Sequence, residues 1–163
     1  MKAQLLVSAC AFALAASAAS PSLKFGSVTM TQDPNTRKVT ISYELENAPA
    51  IVTLDIVTNG VSIGGENIQR LAGDVNHIVE AGQRTIYWSP VKDWKGHVIS
   101  DNSMQAVVTV WPKYLPPDYM ILDMKLETGG ISNAAFYASK EFIPGGFTND
   151  MYKLDKLMMR KIP

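Results

Sequence analysis

Apolar and polar residues alternate along much of the chain between Leu23 and Trp111. A two-residue period sends successive side chains to opposite faces of an extended backbone, so such runs predict strands with one face turned inward. Lys38 to Leu45 is the clearest case, with Val39, Ile41, Tyr43 and Leu45 alternating with Thr40, Ser42 and Glu44. Ala50 to Thr58 is rich in β-branched residues and stops at Asn59-Gly60, a pair that tolerates the positive φ of a tight hairpin. Val61 to Ile63 starts a return strand that Gly64-Gly65 interrupts. Gln83 to Trp88 follows the Ala81-Gly82 turn, carries Ile86 and Trp88 on one inward face, and closes at Ser89-Pro90. Ser103 to Trp111 alternates through Met104, Ala106, Val108 and Val110 and ends at Pro112.

No stretch of comparable length places apolar residues at i, i+3, i+4 and i+7, so helix is predicted to be minor. Several short strands separated by turns, without helical crossovers, predict an all-β fold. The expected form is an antiparallel β-sandwich of the immunoglobulin or fibronectin type III kind over residues 23–112, with a barrel as the structural alternative. Pro112, Pro116 and Pro117 then mark a stiff connector, because proline cannot sustain a central strand. Residues 113–163 are expected to form a short β-containing C-terminal extension. It holds a strand over Tyr119 to Met124, a loop at Gly129-Gly130, a strand around Ala134 to Ala138, a loop at Pro144-Gly145-Gly146, and a final segment from Tyr152 to Ile162. The extension has too little apolar material for a second core. Leu154, Leu157, Met158, Met159 and Ile162 predict an apolar strand, either less ordered than the sandwich or folded back on Tyr119 to Met124.

Length and composition narrow this picture. A chain of 163 residues has room for one domain plus extras, and 47% hydrophobic with 18% charged residues indicates neither disorder nor a fibrous repeat. Residues 1–19 read as a secretory signal: Lys2 supplies the positive start, Ala3 to Ala15 the apolar run, and Ala16-Ser17-Ala18 the small residues for cleavage. Export to the periplasm or the cell exterior is the expectation. The run falls short of the ~20 apolar residues of a bilayer span, so no transmembrane segment is expected. Val7-Ser8-Ala9-Cys10 has the form of a lipobox, but the apolar run continues past Cys10, which favours ordinary cleavage near Ala18 or Ala19 over a lipid anchor. Cleavage removes Lys2 and Cys10, leaving 14 basic against 15 acidic residues and no thiol for a disulfide, a nucleophile or a metal ligand. That balance lacks the positive footprint of a nucleic-acid partner.

Candidate chemistry is sparse. His77 and His97 fall in loops without a cysteine, a second histidine or paired carboxylates at ligand spacing, so both are expected to be solvated or locally bonded rather than metal ligands. Asp93, Asp101-Asn102 and Asn149-Asp150 are too scattered for a calcium loop. The paired glycines at 64-65, 129-130 and 145-146 lack a following Gly-Lys-Ser/Thr and are assigned to turns. No nucleophile elbow is present, and neither catalysis nor a cofactor is expected. The remaining constellation is aromatic. Tyr87, Trp94 and Trp111 are candidate stacking residues for a sugar face, with Trp111 expected to be the most exposed, whereas Trp88 is in core phase and Trp94 lies in a turn able to fold back over the core.

Two motifs and a connector carry a resemblance. Leu71-Ala72-Gly73-Asp74-Val75-Asn76, then Ala81-Gly82, Thr85-Ile86-Tyr87-Trp88 and Asp93-Trp94-Lys95-Gly96, with Tyr119 to Met124 and Tyr152 to Pro163, resemble the N-terminal region of bacterial exported proteins related to formylglycine-generating enzyme, or sulfatase-modifying factor. Asn76 stands where that pattern usually has glycine. The resemblance implies a β-sandwich preceding an enzyme domain that would begin after residue 163, so none of the family's catalytic residues carries over. The chain is expected to be a non-catalytic spacer or interaction module, its partner a downstream enzyme-like domain or an envelope protein or glycan. Carbohydrate binding by aromatic stacking is the alternative.

Overall fold

The alternating run at Val39 becomes the spine of one sheet in the computed structural model, which describes residues 19–47, 49–97, 99, 103–124 and 134–162. The first sheet contains β1 (Ser22–Leu23), β2 (Thr29–Gln32), β3 (Val39–Glu46), β6 (Leu71–Gly73) and β8 (Gly82–Trp88). β1 and β2 share one edge of β3, while β8 lies on the other edge and carries β6 beyond it. The second sheet is built on β4 (Ala50–Thr58), with β9 (Met104–Pro112) along one side and β5 (Val61–Ser62) and β7 (Ile78–Val79) dividing the other. All these pairings are antiparallel. Among the described residues helix is confined to two single turns, α1 (Pro90–Asp93) and α2 (Met151–Leu154), and two 3-10 turns at Gly65–Asn67 and Lys140–Phe142. The fold is all-β.

Period two explains the shared core. Val39, Ile41, Tyr43 and Leu45 of β3 and Ile86 and Trp88 of β8 pack with Ala50, Val52, Leu54 and Ile56 of β4 in one buried cluster. Burying side chains of this size stabilises by about 1.5–3 kcal/mol each relative to exposure. The hairpin expected at Asn59-Gly60 forms, both residues taking positive φ (50° and 78°) as Thr58 pairs with Val61.

β4 departs from alternation because both its faces are covered. Ile51 and Thr53 point away from the shared core and are buried as well. The cover comes from the C-terminal extension, which forms a third sheet ordered β11 (Ala134–Tyr137), β10 (Tyr119–Asp123), β12 (Lys156–Arg160). The register pairs Met120 with Phe136 and Leu122 with Ala134, so these four side chains share a face, and that face packs on Ile51, Ile78 and Trp111. Met120, Leu122, Ala134 and Phe136 thus build, on the outer face of the second sheet, a second apolar cluster distinct from the shared core.

The last segment takes the fold-back course, with Leu122 opposite Leu157 and Met120 opposite Met159. It is not strand throughout: Leu154 ends the helical turn α2 and Ile162 lies beyond β12. Among the described residues no helix is long and apolar enough to cross a membrane. The signal and lipobox positions 1–18, Asp101-Asn102 and Gly129-Gly130 lie outside the described residues.

Candidate functional site

Both quoted motifs have structural work. Leu71 to Asn76 forms the corner where the chain passes from the first sheet to the second. Gly73 takes φ +88°, and a Cβ there would collide with the Thr85 carbonyl oxygen. The next amide, Asp74 N–H, donates to that same carbonyl at 2.9 Å, and the Asp74 carboxylate accepts from Thr85 N–H at 3.1 Å. Tyr43, fully buried, donates its hydroxyl to the Asp74 carbonyl at 2.6 Å. Burial, then the nearby Asp74 charge, raises the Tyr43 pKa well above the phenolic range, so it stays a donor. Asn76 sits at φ +60°, a conformation asparagine tolerates better than most residues, which accounts for asparagine at a position where glycine also fits. Its N–H donates to Val52 O at 2.7 Å and its carbonyl accepts from Phe136 N–H at 2.8 Å, joining the corner to both the second and third sheets.

The second motif is a clamp and a lid. Pro90 opens α1, where its fixed φ is preorganised and its missing N–H is not needed. Leu71 pairs with Trp88, which brings Arg70 beside this turn. Asp93, its side chain only 1% exposed, accepts from Arg70 N–H at 2.7 Å and from the Arg70 guanidinium at 2.6 Å. Trp94 then folds back against the shared core, as the turn position suggested, and Gly96 turns the chain at φ +80°.

The three candidate stacking residues do not share a surface. Tyr87 faces outward from the first sheet, 37% exposed, with Lys38 Nζ 4.3 Å from its ring centre. Trp111 faces outward from the second sheet, on the opposite side of the body. The expectation that it would be the most exposed is corrected: the third sheet packs on it, leaving it half-buried, and its indole N–H donates to Thr53 Oγ1 at 2.9 Å. Trp88 is fully buried in the core, and among the described residues its indole N–H has no hydrogen-bond partner.

Trp94 is different because it lines a surface groove of about 610 Å³ with Gln32, Arg37, Pro90, Val91, Lys95, Gly96 and His97. The topology explains the meeting. Val39 pairs with Trp88, so the turn entering β3 and the turn leaving β8 emerge side by side. The first turn is shaped by Asp33, whose carboxylate accepts from the Asn35 and Thr36 amides at 2.8 and 2.7 Å. Those bonds, Thr36 first, hold the Asp33 pKa below its ordinary value. Arg37 closes the turn at φ +60°, its N–H on Asp33 O at 2.9 Å. In the second turn the His97 ring stacks on Trp94, centroids 4.0 Å apart and planes 4° apart.

His97 Nδ1 lies 3.1 Å from Lys95 O, and His77 Nδ1 lies 2.8 Å from Val75 O, so each histidine has a carbonyl partner two residues back. Among the described residues no three His, Cys, Asp or Glu side chains gather as a metal site. The Arg37 contribution to the groove was not legible in the sequence, since it comes from a turn remote from Trp94. Comparison with models of protein families, with curated proteins and with solved structures finds no match for this chain.

Proposed function

We propose that the chain is a non-catalytic β-sandwich of the immunoglobulin or fibronectin type III kind, exported to the periplasm or beyond, which acts as a spacer and interaction module ahead of a sulfatase-modifying-factor-like domain. Two antiparallel sheets on one core, with the chain crossing between them after β3, after β5, at the Gly73 to Asn76 corner, before β8 and after β8, support the sandwich form.

The observation that carries the interaction role is the apolar rim around β12. Met124 is 64% exposed, Leu154 80%, Leu157 47% and Ile162 87%. Met124 N–H donates to Asp155 O at 2.9 Å, which places Met124 beside the start of that strand. Apolar side chains clustered at an edge strand mark a surface suited to a protein contact. Reading the coding DNA past codon 163 and producing the chain with whatever follows tests the proposal. The expected result is an in-frame domain that slows amide exchange at Lys156–Arg160 relative to the 163-residue chain. An immediate stop codon would remove the spacer role.

Carbohydrate binding is the second proposal, favoured by the groove that Trp94, His97 and Gln32 line. Tryptophan fluorescence titrated with a glycan panel tests it, and a flat response to every member would eliminate it.

A further inference from the structure

Charge is unevenly distributed around the Trp94 groove. A second depression of about 260 Å³ adjoins it, sharing Arg37 and Val91 and adding Thr36, Lys38, Ser89 and Lys92. Between them the two depressions present Arg37, Lys38, Lys92 and Lys95, and among the described residues no aspartate or glutamate lines either one. Formal charge balances over the whole chain, so this is segregation rather than a general excess of base.

The acids of the two turns among the described residues, Asp33 and Asp93, are committed elsewhere. Asp93 gives both oxygens to Arg70, and Asp33 turns Oδ1 onto two backbone amides. Lys38 lies over the Tyr87 ring. Among the described residues Arg37, Lys92 and Lys95 have no carboxylate partner.

Arg37 adds an independent observation. It occupies the left-handed region, where glycine or asparagine is the low-cost choice and an ordinary side chain costs on the order of 1–2 kcal/mol. An arginine in a left-handed conformation at the rim of a groove is a reason to look for a ligand there.

We propose that the paired depressions bind an acidic polysaccharide, a glycan bearing carboxylate or sulfate groups. This deepens the carbohydrate proposal and rests on it. The cations would meet the acid groups, with Arg37 able to grip a carboxylate or sulfate through two N–H donors. The outer face of the His97 ring, backed by Trp94, and the exposed side chain of Val91 would meet the sugar ring, while the Gln32 carboxamide, whose nitrogen donates to Arg37 O at 2.9 Å, would offer its oxygen to a hydroxyl. Single-stranded nucleic acid would use the same cations and could stack a base on His97, so the test sets it against the acidic glycan.

The test titrates the chain, by calorimetry and tryptophan fluorescence, with oligogalacturonate, a heparin oligosaccharide, a neutral cello-oligosaccharide and single-stranded DNA of matched length. Acidic saccharides are expected to bind at least tenfold more tightly than the neutral one, weakening as salt rises. Arg37→Asn should lose at least tenfold in affinity with no fall in melting temperature, since asparagine suits the left-handed backbone. Lys95→Gln, at an exposed position, should weaken binding without affecting folding. Equal affinity for acidic and neutral sugars would overturn the acidic assignment while leaving carbohydrate binding standing, whereas no binding of any saccharide would remove both. Tighter binding of DNA than of either acidic saccharide would overturn the assignment in favour of nucleic acid.

Discussion

Replacing Gly73 with alanine should unfold the sheet-to-sheet corner more severely than any other single-methyl change at a glycine of the first sheet. Two costs combine. Alanine at φ +88° is backbone strain of about 1–3 kcal/mol. The new methyl also enters the space of the Thr85 carbonyl oxygen, which cannot retreat freely because it accepts Asp74 N–H while Thr85 N–H is held by the Asp74 carboxylate. Pushing the strands apart therefore loosens two hydrogen bonds at about 1 kcal/mol each and disturbs the buried Tyr43 bond beside them. The sum is about 3–5 kcal/mol, a large part of the roughly 5–15 kcal/mol that holds a domain together. Gly82→Ala is the control: it too sits at positive φ (+114°), but nothing lies within 4 Å of the added carbon, so only the strain applies. Urea unfolding followed by the fluorescence of buried Trp88 measures both. Gly73→Ala should lose about 2 kcal/mol more than Gly82→Ala, and equal losses would show that the corner is not the tight crossing described.

Tyr43→Phe should cost about 1–3 kcal/mol by leaving the Asp74 carbonyl without its buried donor, measured by the same urea assay. Asp93→Ala should cost about 1.5 kcal/mol, the low end for a charged hydrogen bond because the Arg70 side chain is mostly in water, and should raise amide exchange at Arg70. The Asp33 carboxylate has its pKa depressed in the folded state, so its contribution is complete above the unfolded aspartate value and is lost as pH falls through the folded one. Acid titration below the ordinary value of 3.8 should therefore free the Asn35 and Thr36 amides before the core strands open, visible as their early shift in proton–nitrogen spectra.

Strands with one wet face were readable from the chain because burial imposes the two-residue period on them, as at Val39 to Leu45. β4 was recognisable only from its β-branched residues and the Asn59-Gly60 stop, since a strand covered on both faces has no reason to alternate. The same cover explains the error at Trp111. Phase in β9 sets which face that indole takes, but burial on that face depends on Met120, Leu122, Ala134 and Phe136, which arrive from a later part of the chain. In the last segment, apolar residues at 154, 157, 158, 159 and 162 suit a helical turn as well as a strand. Pairing with β10 selects Lys156–Arg160 as strand and leaves Leu154 to α2. The groove was half legible: Trp94 stood out as an aromatic in a turn, but Arg37 gave no signal, because a left-handed arginine is not marked by its neighbours as an Asn-Gly pair is.

The residues of the two motifs, Leu71 to Asn76 and Asp93 to Gly96, are those the fold consumes. Gly73 permits a close crossing, Asp74 ties two strands, Val75 is buried, Asn76 turns the chain, Asp93 clamps Arg70 and Trp94 covers the core. Any chain making this corner and this clamp needs similar residues whatever it binds, so such a pattern tracks architecture more closely than ligand. Lys95 is the exception within the second motif. It is exposed, has no carboxylate partner among the described residues, and opens onto the groove together with Arg37, which lies outside both motifs. Replacing the cations at positions 37, 92 and 95 would leave the corner and the clamp intact while removing the charges that the proposed acidic glycan would meet.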